Sequence, residues 1–185
     1  MLETIERKTA VSFTTSQVTR LQEAAETICD NALSAARSRL LARRQDEDLS
    51  KLMQDFAFLN SLKYGLADGV TNVLVANDGN IQAIYLFEEA TNPDSETEEA
   101  LVPDMTIHLL LLVNSNSAAL DAFVESLDRA LTEVVRDLPS PLLDKRTSIL
   151  NVIPITQEEV ATKKGYGALL SSIFARPVKL WARKA

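Results

Sequence analysis

Hydrophobic residues recur every three or four positions in two stretches of the N-terminal third of the chain, a spacing typical of amphipathic helices. The first helix is predicted to begin near Ser16, after a capping box of Thr14 and Gln17, and to run to about residue 44. The second pattern begins at residue 49 and is predicted to end near Gly65, since glycine commonly follows a helix C-terminus. The sequence therefore predicts two helices ahead of any sheet.

The pattern changes to β-type after residue 71. Residues 72–76 and 81–87 are rich in β-branched and apolar side chains, and they flank the segment Asn77-Asp78-Gly79-Asn80. Asp-Gly between two such runs is a strong signal for a tight β-hairpin. We therefore expect a hairpin of residues 72–76 with 81–87.

The middle of the chain contains its two clearest elements. Residues 106–113 form an apolar run interrupted only at Thr106 and His108, which predicts a central strand covered on both faces. Residues 117–138 repeat apolar positions at helical spacing and are followed by Pro139, which predicts a long amphipathic helix.

Three shorter elements are predicted toward the C-terminus. Residues 148–155 are expected to form a strand, and Pro154 favours either an edge position for this strand or the end of its pairing. A last helix is predicted over residues 157–175, and the apolar segment Val178 to Trp181 follows it.

The order of these elements predicts an α/β or α+β fold. We expect a mixed, mostly antiparallel sheet of about four strands flanked by helices. Residues 1–66 would form an N-terminal helical pair packed on the same domain as the α/β part, residues 67–185. The narrow, alanine-rich face of the first helix is equally consistent with packing on the sheet beside the second helix and with association between two copies of the chain.

Length and composition agree with one folded domain. The 185 residues are 46% hydrophobic and 24% charged, values that are ordinary for a globular protein. The single Cys29 excludes an intramolecular disulfide and is expected in the core. The N-terminal residues lack the layout of a secretory signal, and the longest apolar run is too short to span a bilayer. The sequence therefore predicts a cytoplasmic protein without membrane contact.

Charge is distributed unevenly along the chain. The formal net charge is −7, yet the last 23 residues carry six basic and no acidic side chains. An acidic body repels phosphate backbones, so nucleic-acid binding is not expected. One basic cluster, Arg37, Arg39, Arg43 and Arg44, is the candidate patch for phosphate or for a partner.

The segment from Asn80 to Trp181, a little over half of the chain, resembles the minimal nucleotidyltransferases of the polymerase-β-like superfamily. Residues 84–87 resemble the family strand that ends in hydrophobic-Phe-Gly-Ser, and residues 106–113 resemble the strand that carries Asp-hydrophobic-Asp. Residues 151–156 resemble the strand that can bear a third carboxylate. Residues 165–181 resemble the closing helix with its final apolar stretch.

The active-site positions of that family are all replaced in this chain. Glu88 and Glu89 stand where the resemblance implies Gly-Ser, which would let a triphosphate approach the backbone. Thr106 and His108 stand where it implies two metal-binding aspartates, and Asn151 stands at the third position. The resemblance therefore implies a noncatalytic relative that acts as a binding or regulatory module, without a cofactor.

Two alternatives remain open from the sequence. An active nucleotidyltransferase could use a rearranged Mg²⁺ or Mn²⁺ site of Glu88, Glu89, Asp104 and His108. The chain could instead be a small acidic adaptor or chaperone-like α+β protein. The expected partner is another protein or a second copy of the chain, and a nucleotide ligand is also left open.

Overall fold

The computed structural model describes residues 13–87, 105–140, 143, 145–172 and 177–184. The helices are α1 (Thr15–Ser38), α2 (Leu49–Leu52), α3 (Phe56–Asn77), α4 (Ala118–Arg136) and α5 (Gln157–Thr162). The strands are β1 (Ile81–Leu86), β2 (Ile107–Val113), β3 (Leu150–Thr156) and β4 (Val178–Ala182), and short 3-10 helices cover Ala42–Arg44 and Gly165–Ser171. The strands form one mixed sheet in the order β3-β2-β1-β4, in which only β2 and β3 are parallel. The fold is α+β, as the element pattern predicts.

Helix α1 begins with the predicted capping box at Thr14 but ends at Ser38, earlier than the sequence indicates. The guanidinium of Arg37 donates hydrogen bonds to the carbonyl oxygens of Gln45 (2.8 Å) and Glu47 (3.1 Å). These bonds hold residues 45–47 close to the C-terminal end of α1, which is incompatible with a helix that continues straight to residue 44.

Helix α3 replaces the first strand of the predicted hairpin, and that prediction is wrong. Residues 72–76 continue the helical spacing of the buried positions before them, which are Leu59, Leu62, Leu66 and Val70, and Leu74 is the next buried residue of the series. Burial along this one face outweighs the β-propensity of the last residues. Asp78-Gly79 still forms a turn, in which Asp78 Oδ1 accepts the N–H of Asn80 at 2.8 Å, but this turn connects a helix to β1.

Gly65 does not end a helix, contrary to the prediction, because it lies inside α3. A Cβ at this position would lie 2.9 Å from the Cα of Ala32 on α1, closer than two carbon atoms pack. Glycine is therefore what lets α1 and α3 approach closely, and α3 runs across the predicted boundary at residue 66. The N-terminal helix packs within the chain, against α3 and α4.

The central predictions are confirmed. Strand β2 lies between β1 and β3, and all seven of its residues are buried. Helix α4 is capped by Ser117, whose Oγ accepts the N–H of Leu120, and it connects β2 to the parallel strand β3. Strand β3 is at one edge of the sheet, where Pro154 is tolerated.

The predicted C-terminal helix is too long. Helix α5 ends at Thr162 because Lys163 adopts a left-handed conformation (φ 53°), and Gly165 follows with φ 50°. A 3-10 helix occupies Gly165–Ser171, and the apolar segment after it is strand β4, antiparallel to β1. The sheet therefore has the predicted number of strands, but β4 takes the place of the expected strand at 72–76.

The two faces of the sheet differ in what covers them. Helices α1, α3 and α4 bury one face, which we name the large face, in a core with Ile107, Leu109 and Leu111. Helix α5 and the 3-10 helix Gly165–Ser171 cover the other face, which we name the small face, around Leu110 and Leu112. Among the helices that the structure describes, none combines the length and apolarity that a membrane span requires.

Candidate functional site

Three segments singled out by the family resemblance lie side by side in the sheet. Leu86 at the end of β1 pairs with Leu109, and Ile107 at the start of β2 pairs with Leu150 at the start of β3. Thr106 directly precedes β2. One end of the sheet therefore brings together Thr106, His108 and Asn151, while Glu88, Glu89 and Asp104 lie outside the described residues.

His108 and Asn151 occupy paired positions of the parallel strands β2 and β3. The amide nitrogen of Asn151 lies 2.9 Å from Nδ1 of His108. An amide nitrogen can only donate, so this hydrogen bond requires an unprotonated Nδ1. His108 is 5% exposed, and the bond therefore satisfies a polar atom inside the small face.

Two aromatic rings complete the surroundings of His108. The ring of Phe87 lies 5.3 Å from the imidazole between centroids, and the ring of Tyr166 lies 6.2 Å from Phe87. The N–H of Phe87 also donates to the carbonyl oxygen of His108 at 3.0 Å. We name Phe87, His108, Asn151 and Tyr166 the His108 cluster. It is a packed group of side chains, with Tyr166 at its exposed rim.

The 3-10 helix that carries Tyr166 is held against α5 by a close backbone contact. A Cβ on Gly167 would lie 2.6 Å from the carbonyl oxygen of Glu159. The carboxylate of Glu159 in turn accepts the N–H of Thr156 at 2.7 Å, as part of the capping box of α5. The 3-10 helix Gly165–Ser171 is therefore held next to the end of β3 through Glu159, whose backbone contacts Gly167 and whose carboxylate binds Thr156.

Thr106 is held by an arginine from the segment before β3. A guanidinium nitrogen of Arg146 donates to Thr106 Oγ1 at 3.1 Å, and Nε of Arg136 donates to the carbonyl oxygen of Arg146 at 2.5 Å. Asp128 Oδ1 accepts the N–H groups of Ile149 (2.9 Å) and Leu150 (2.8 Å), which fixes the start of β3 to α4. The position that the resemblance assigns to a metal-binding carboxylate thus carries a hydroxyl bonded to a cation.

The described donor set at this end of the sheet, Thr106, His108 and Asn151, contains no carboxylate. Thr106 offers a hydroxyl, His108 an imidazole and Asn151 an amide, whereas Mg²⁺ and Mn²⁺ in phosphoryl-transfer sites are held by carboxylates. Within residues 13–87, 105–140, 143, 145–172 and 177–184, no three His, Cys, Asp or Glu side chains are grouped to hold a metal. The alternative metal set of Glu88, Glu89, Asp104 and His108 stays a prediction.

The arginine patch is divided among intramolecular contacts. Arg37 donates to the two carbonyl oxygens after α1, Arg39 donates to Ser61 Oγ at 2.9 Å, and Arg44 pairs with acidic neighbours. Arg43 is exposed and makes no such contact within the described part of the chain. Three of the four guanidinium groups therefore hold the connection between α1 and α3.

The ion pairs of this connection shift the pKa values of their members. Hydrogen bonds to Glu47 and then to Asp55 raise the pKa of Arg44. The N–H of Phe58 lowers the pKa of the Asp55 carboxyl, and the Arg44 guanidinium, 2.8 Å away, lowers it further. Asp55 is also the N-cap of α3, so one carboxylate serves both the helix and the ion pair.

Cys29 lies on the buried face of α1, in the core of the protein as predicted, and is 1% exposed. Burial raises the pKa of its thiol to about 11, and the charge of Asp30 adds to this shift. A thiol with so high a pKa carries almost no thiolate near neutral pH and is a poor nucleophile. Cys29 is therefore a structural residue.

Several residues around the candidate site are not identified by the sequence pattern. Phe87 and Tyr166 contact each other across 79 positions, and Arg146 reaches Thr106 across 40 positions. No short motif encodes such pairs, because they depend on strand register and on the crossover of α4. Comparison of the chain with models of protein families, with curated proteins and with solved structures finds no match in any of the three.

Proposed function

We propose that this chain is a noncatalytic, nucleotidyltransferase-like domain that acts by binding a protein partner or a second copy of itself. The observation that carries the proposal is the His108–Asn151 hydrogen bond of 2.9 Å at the paired positions of β2 and β3. Two positions that would bear catalytic carboxylates in an active relative are here bonded to each other in a packed face.

The convergence of the three segments supports the resemblance part of the proposal. A shared active site would require residues 84–87, 106–113 and 151–156 to be neighbours, and they form the adjacent strands β1, β2 and β3. These segments are far apart in the sequence, so it is the fold that makes them neighbours.

The polar contacts at this end of the sheet support the noncatalytic part. Nucleotidyl transfer needs carboxylate oxygens that hold two divalent ions and so neutralise the charge of the transferred phosphoryl group. Thr106 accepts a hydrogen bond from Arg146, and the Phe87 ring packs on His108. A triphosphate with its metal ions would have to displace both contacts.

The test is a transfer assay combined with thermal melting of the full chain. Labelled ATP, GTP, CTP and UTP are each incubated with the protein and Mg²⁺ or Mn²⁺, and transfer of label is measured. Melting is followed with the same additions, because a ligand at about 100 times its dissociation constant stabilises a fold by about 2.7 kcal/mol. We expect no transfer and no change in melting temperature.

Metal-dependent transfer that is lost in Asp104→Asn and in His108→Ala, and retained in the control Glu133→Gln, would contradict the proposal. Glu133 is an exposed residue of α4 and so matches the loss of one charge without touching the site. Sedimentation over a range of protein concentrations tests the binding part. A dimer identifies the partner as a second copy, and a monomer directs the search to other proteins.

A further inference from the structure

A groove lies among the helices that cover the large face, between α1, the end of α3 and the start of α4. Its volume is about 530 Å³, which is within the range of small-molecule sites. The apolar part of its wall comes from Leu21, Val73 and Phe123, with Phe13 at the start of α1. The His108 cluster belongs to the small face, so the groove and that cluster are separate features.

Among the described residues, small side chains leave this space unfilled. Ala24 of α1, Ala76 of α3 and Ala119 of α4 contribute one methyl group each to the wall. Further along the same pair of helices, α1 and α3 are in direct contact at Ala32 and Gly65. Within the described part of the chain, the groove is therefore the place where three helices meet without side chains long enough to close the gap.

Three polar side chains also line the groove, and each offers hydrogen-bond donors. The guanidinium of Arg20 forms no hydrogen bond or ion pair within the described part of the chain. Gln17 uses its amide oxygen in the capping box with Thr14, which leaves its amide nitrogen out of that box. Asn77 adds an amide at the last residue of α3. The wall thus combines an apolar surface with one unpaired positive charge.

We propose that this groove binds small amphipathic carboxylates, molecules with an apolar chain or ring and a single carboxylate group. The apolar part is buried against the wall, and the carboxylate accepts hydrogen bonds from Arg20 with support from the amides of Gln17 and Asn77. An arginine fork matches a carboxylate in geometry and in charge. A phosphate monoester carries nearly two negative charges at neutral pH and so exceeds the single cation of the groove.

The test is titration calorimetry of the full chain with octanoate, decanoate and 2-naphthoate, each measured beside an uncharged analogue. The analogues are octan-1-ol, decan-1-ol and 2-naphthalenemethanol. We expect one molecule of carboxylate to bind per chain, about tenfold more tightly than its alcohol, because a hydrogen bond to a charged group adds that much.

Three variants and one control variant assign the binding to the groove. Arg20→Gln is expected to lower the affinity for the carboxylate about tenfold and to leave the affinity for the alcohol unchanged. Ala76→Leu fills the groove and is expected to abolish binding of both, and Ala119→Leu repeats this test from another helix. Arg43→Gln removes an exposed arginine elsewhere and is expected to bind as the unaltered chain does. Thermal melting verifies that each variant is folded.

Four outcomes would overturn the proposal. The proposal is wrong if none of the three carboxylates binds, if Arg20→Gln binds them as tightly as the unaltered chain does, or if both Ala76→Leu and Ala119→Leu retain binding. Tighter binding of octyl phosphate than of octanoate would assign the groove to phosphate instead. Each outcome is independent of the transfer assay above, so the proposed function can fail while this site stands, and the reverse also holds.

Discussion

The large and small faces of the sheet are lined by alternate residues of the same strand, β2, and yet they differ in character. On the large face, Ile107, Leu109 and Leu111 meet three helices in a continuous apolar core. On the small face, Leu110 and Leu112 meet one short helix and a 3-10 helix, and His108 lies in the same row. Full burial of every residue of β2 therefore conceals two rows of side chains, one that is apolar and one that contains a polar pair.

The strongest test of this difference compares Leu109→Ala with Leu110→Ala. Both side chains are fully buried and adjacent in β2, so the chemistry of the change is the same. Buried Leu→Ala changes cost about 2–5 kcal/mol, with the larger losses where neighbours cannot relax into the cavity. We expect a loss of about 4 kcal/mol for Leu109→Ala and about 2 kcal/mol for Leu110→Ala in urea unfolding. Equal losses would contradict the distinction between the faces.

A second comparison uses the two glycines that allow close contacts on either side of the sheet. Gly65→Ala forces a methyl group against the backbone of Ala32. We expect it to destabilise the whole fold by about 2 kcal/mol, the overpacking cost less the gain in helix propensity. Gly167→Ala forces a methyl group against Glu159, close in sequence, and should loosen the 3-10 helix locally.

Hydrogen exchange distinguishes these two results. Gly65→Ala should lower protection in α1, α3 and the sheet together, whereas Gly167→Ala should lower it only in α5 and the 3-10 helix. Asp68→Ala, at an exposed position of α3, controls for the change in helix propensity. Global loss of protection in Gly167→Ala would show that the small face is as cooperative as the large one.

The polar pair of the small face is tested by a double-mutant cycle on His108 and Asn151. Asn151→Leu removes the amide that donates to the buried Nδ1 of His108, and we expect this loss to cost about 1–3 kcal/mol. Replacing both residues by leucine should cost less than the sum of the two single changes, because no polar atom of the pair is then left without its partner. Urea unfolding of the two single variants and the double variant gives the coupling energy. Strict additivity would show that the 2.9 Å bond contributes nothing to folding.

The smallest expected effect concerns Asp55, the N-cap of α3, which belongs to the helices of the large face. The N–H of Phe58, and next the Arg44 guanidinium, hold the pKa of this carboxyl below the ordinary value of an aspartate. The ionised carboxylate therefore adds stability above about pH 4, and that stability is lost as the pH falls through the lowered pKa. Asp55→Asn preserves a capping oxygen and removes the charge.

We expect Asp55→Asn to lower the free energy of unfolding at pH 7 by about 0.5–1 kcal/mol, the upper part of the range of surface ion pairs, because both side chains are partly buried. The difference from the unaltered chain should vanish in acid below the lowered pKa and shrink at high salt. Asp68→Asn serves as the charge control. An effect that persists unchanged in acid would exclude the ion pair as its cause.

The elements that the sequence predicts correctly are those whose pattern is long and of one period. Helix α4 is of this kind. Strand β2 is recognised instead by its continuous apolar run, and the capping box at Thr14 by a short local motif. The segment 72–76 misleads because valine-rich residues fit a strand locally, while the buried stripe that makes them helical begins at residue 59. Strand β4 is missed because only pairing with β1 makes it a strand.

The contacts of the candidate site could not be predicted from the sequence. The resemblance directs attention to Thr106, His108 and Asn151, and the structure brings these three residues together. The bond between His108 and Asn151 joins residues 43 positions apart, and it follows from the register of two parallel strands. Hydrophobic periodicity contains no information on that register, and it also gives no sign of the groove, which results from alanines on three separate helices.

The pairing of β4 with β1 has a consequence for the order in which the protein is made. Arg183 donates to the carbonyl oxygen of Gly79 at 2.6 Å, 104 positions earlier, and β4 covers one whole edge of β1. On the ribosome, β1 emerges long before its outer neighbour exists, so its free backbone groups face the cellular environment while the rest of the sheet assembles. Delayed closure of that edge makes nascent chains, rather than finished molecules, the stage at which this fold is most exposed to mispairing.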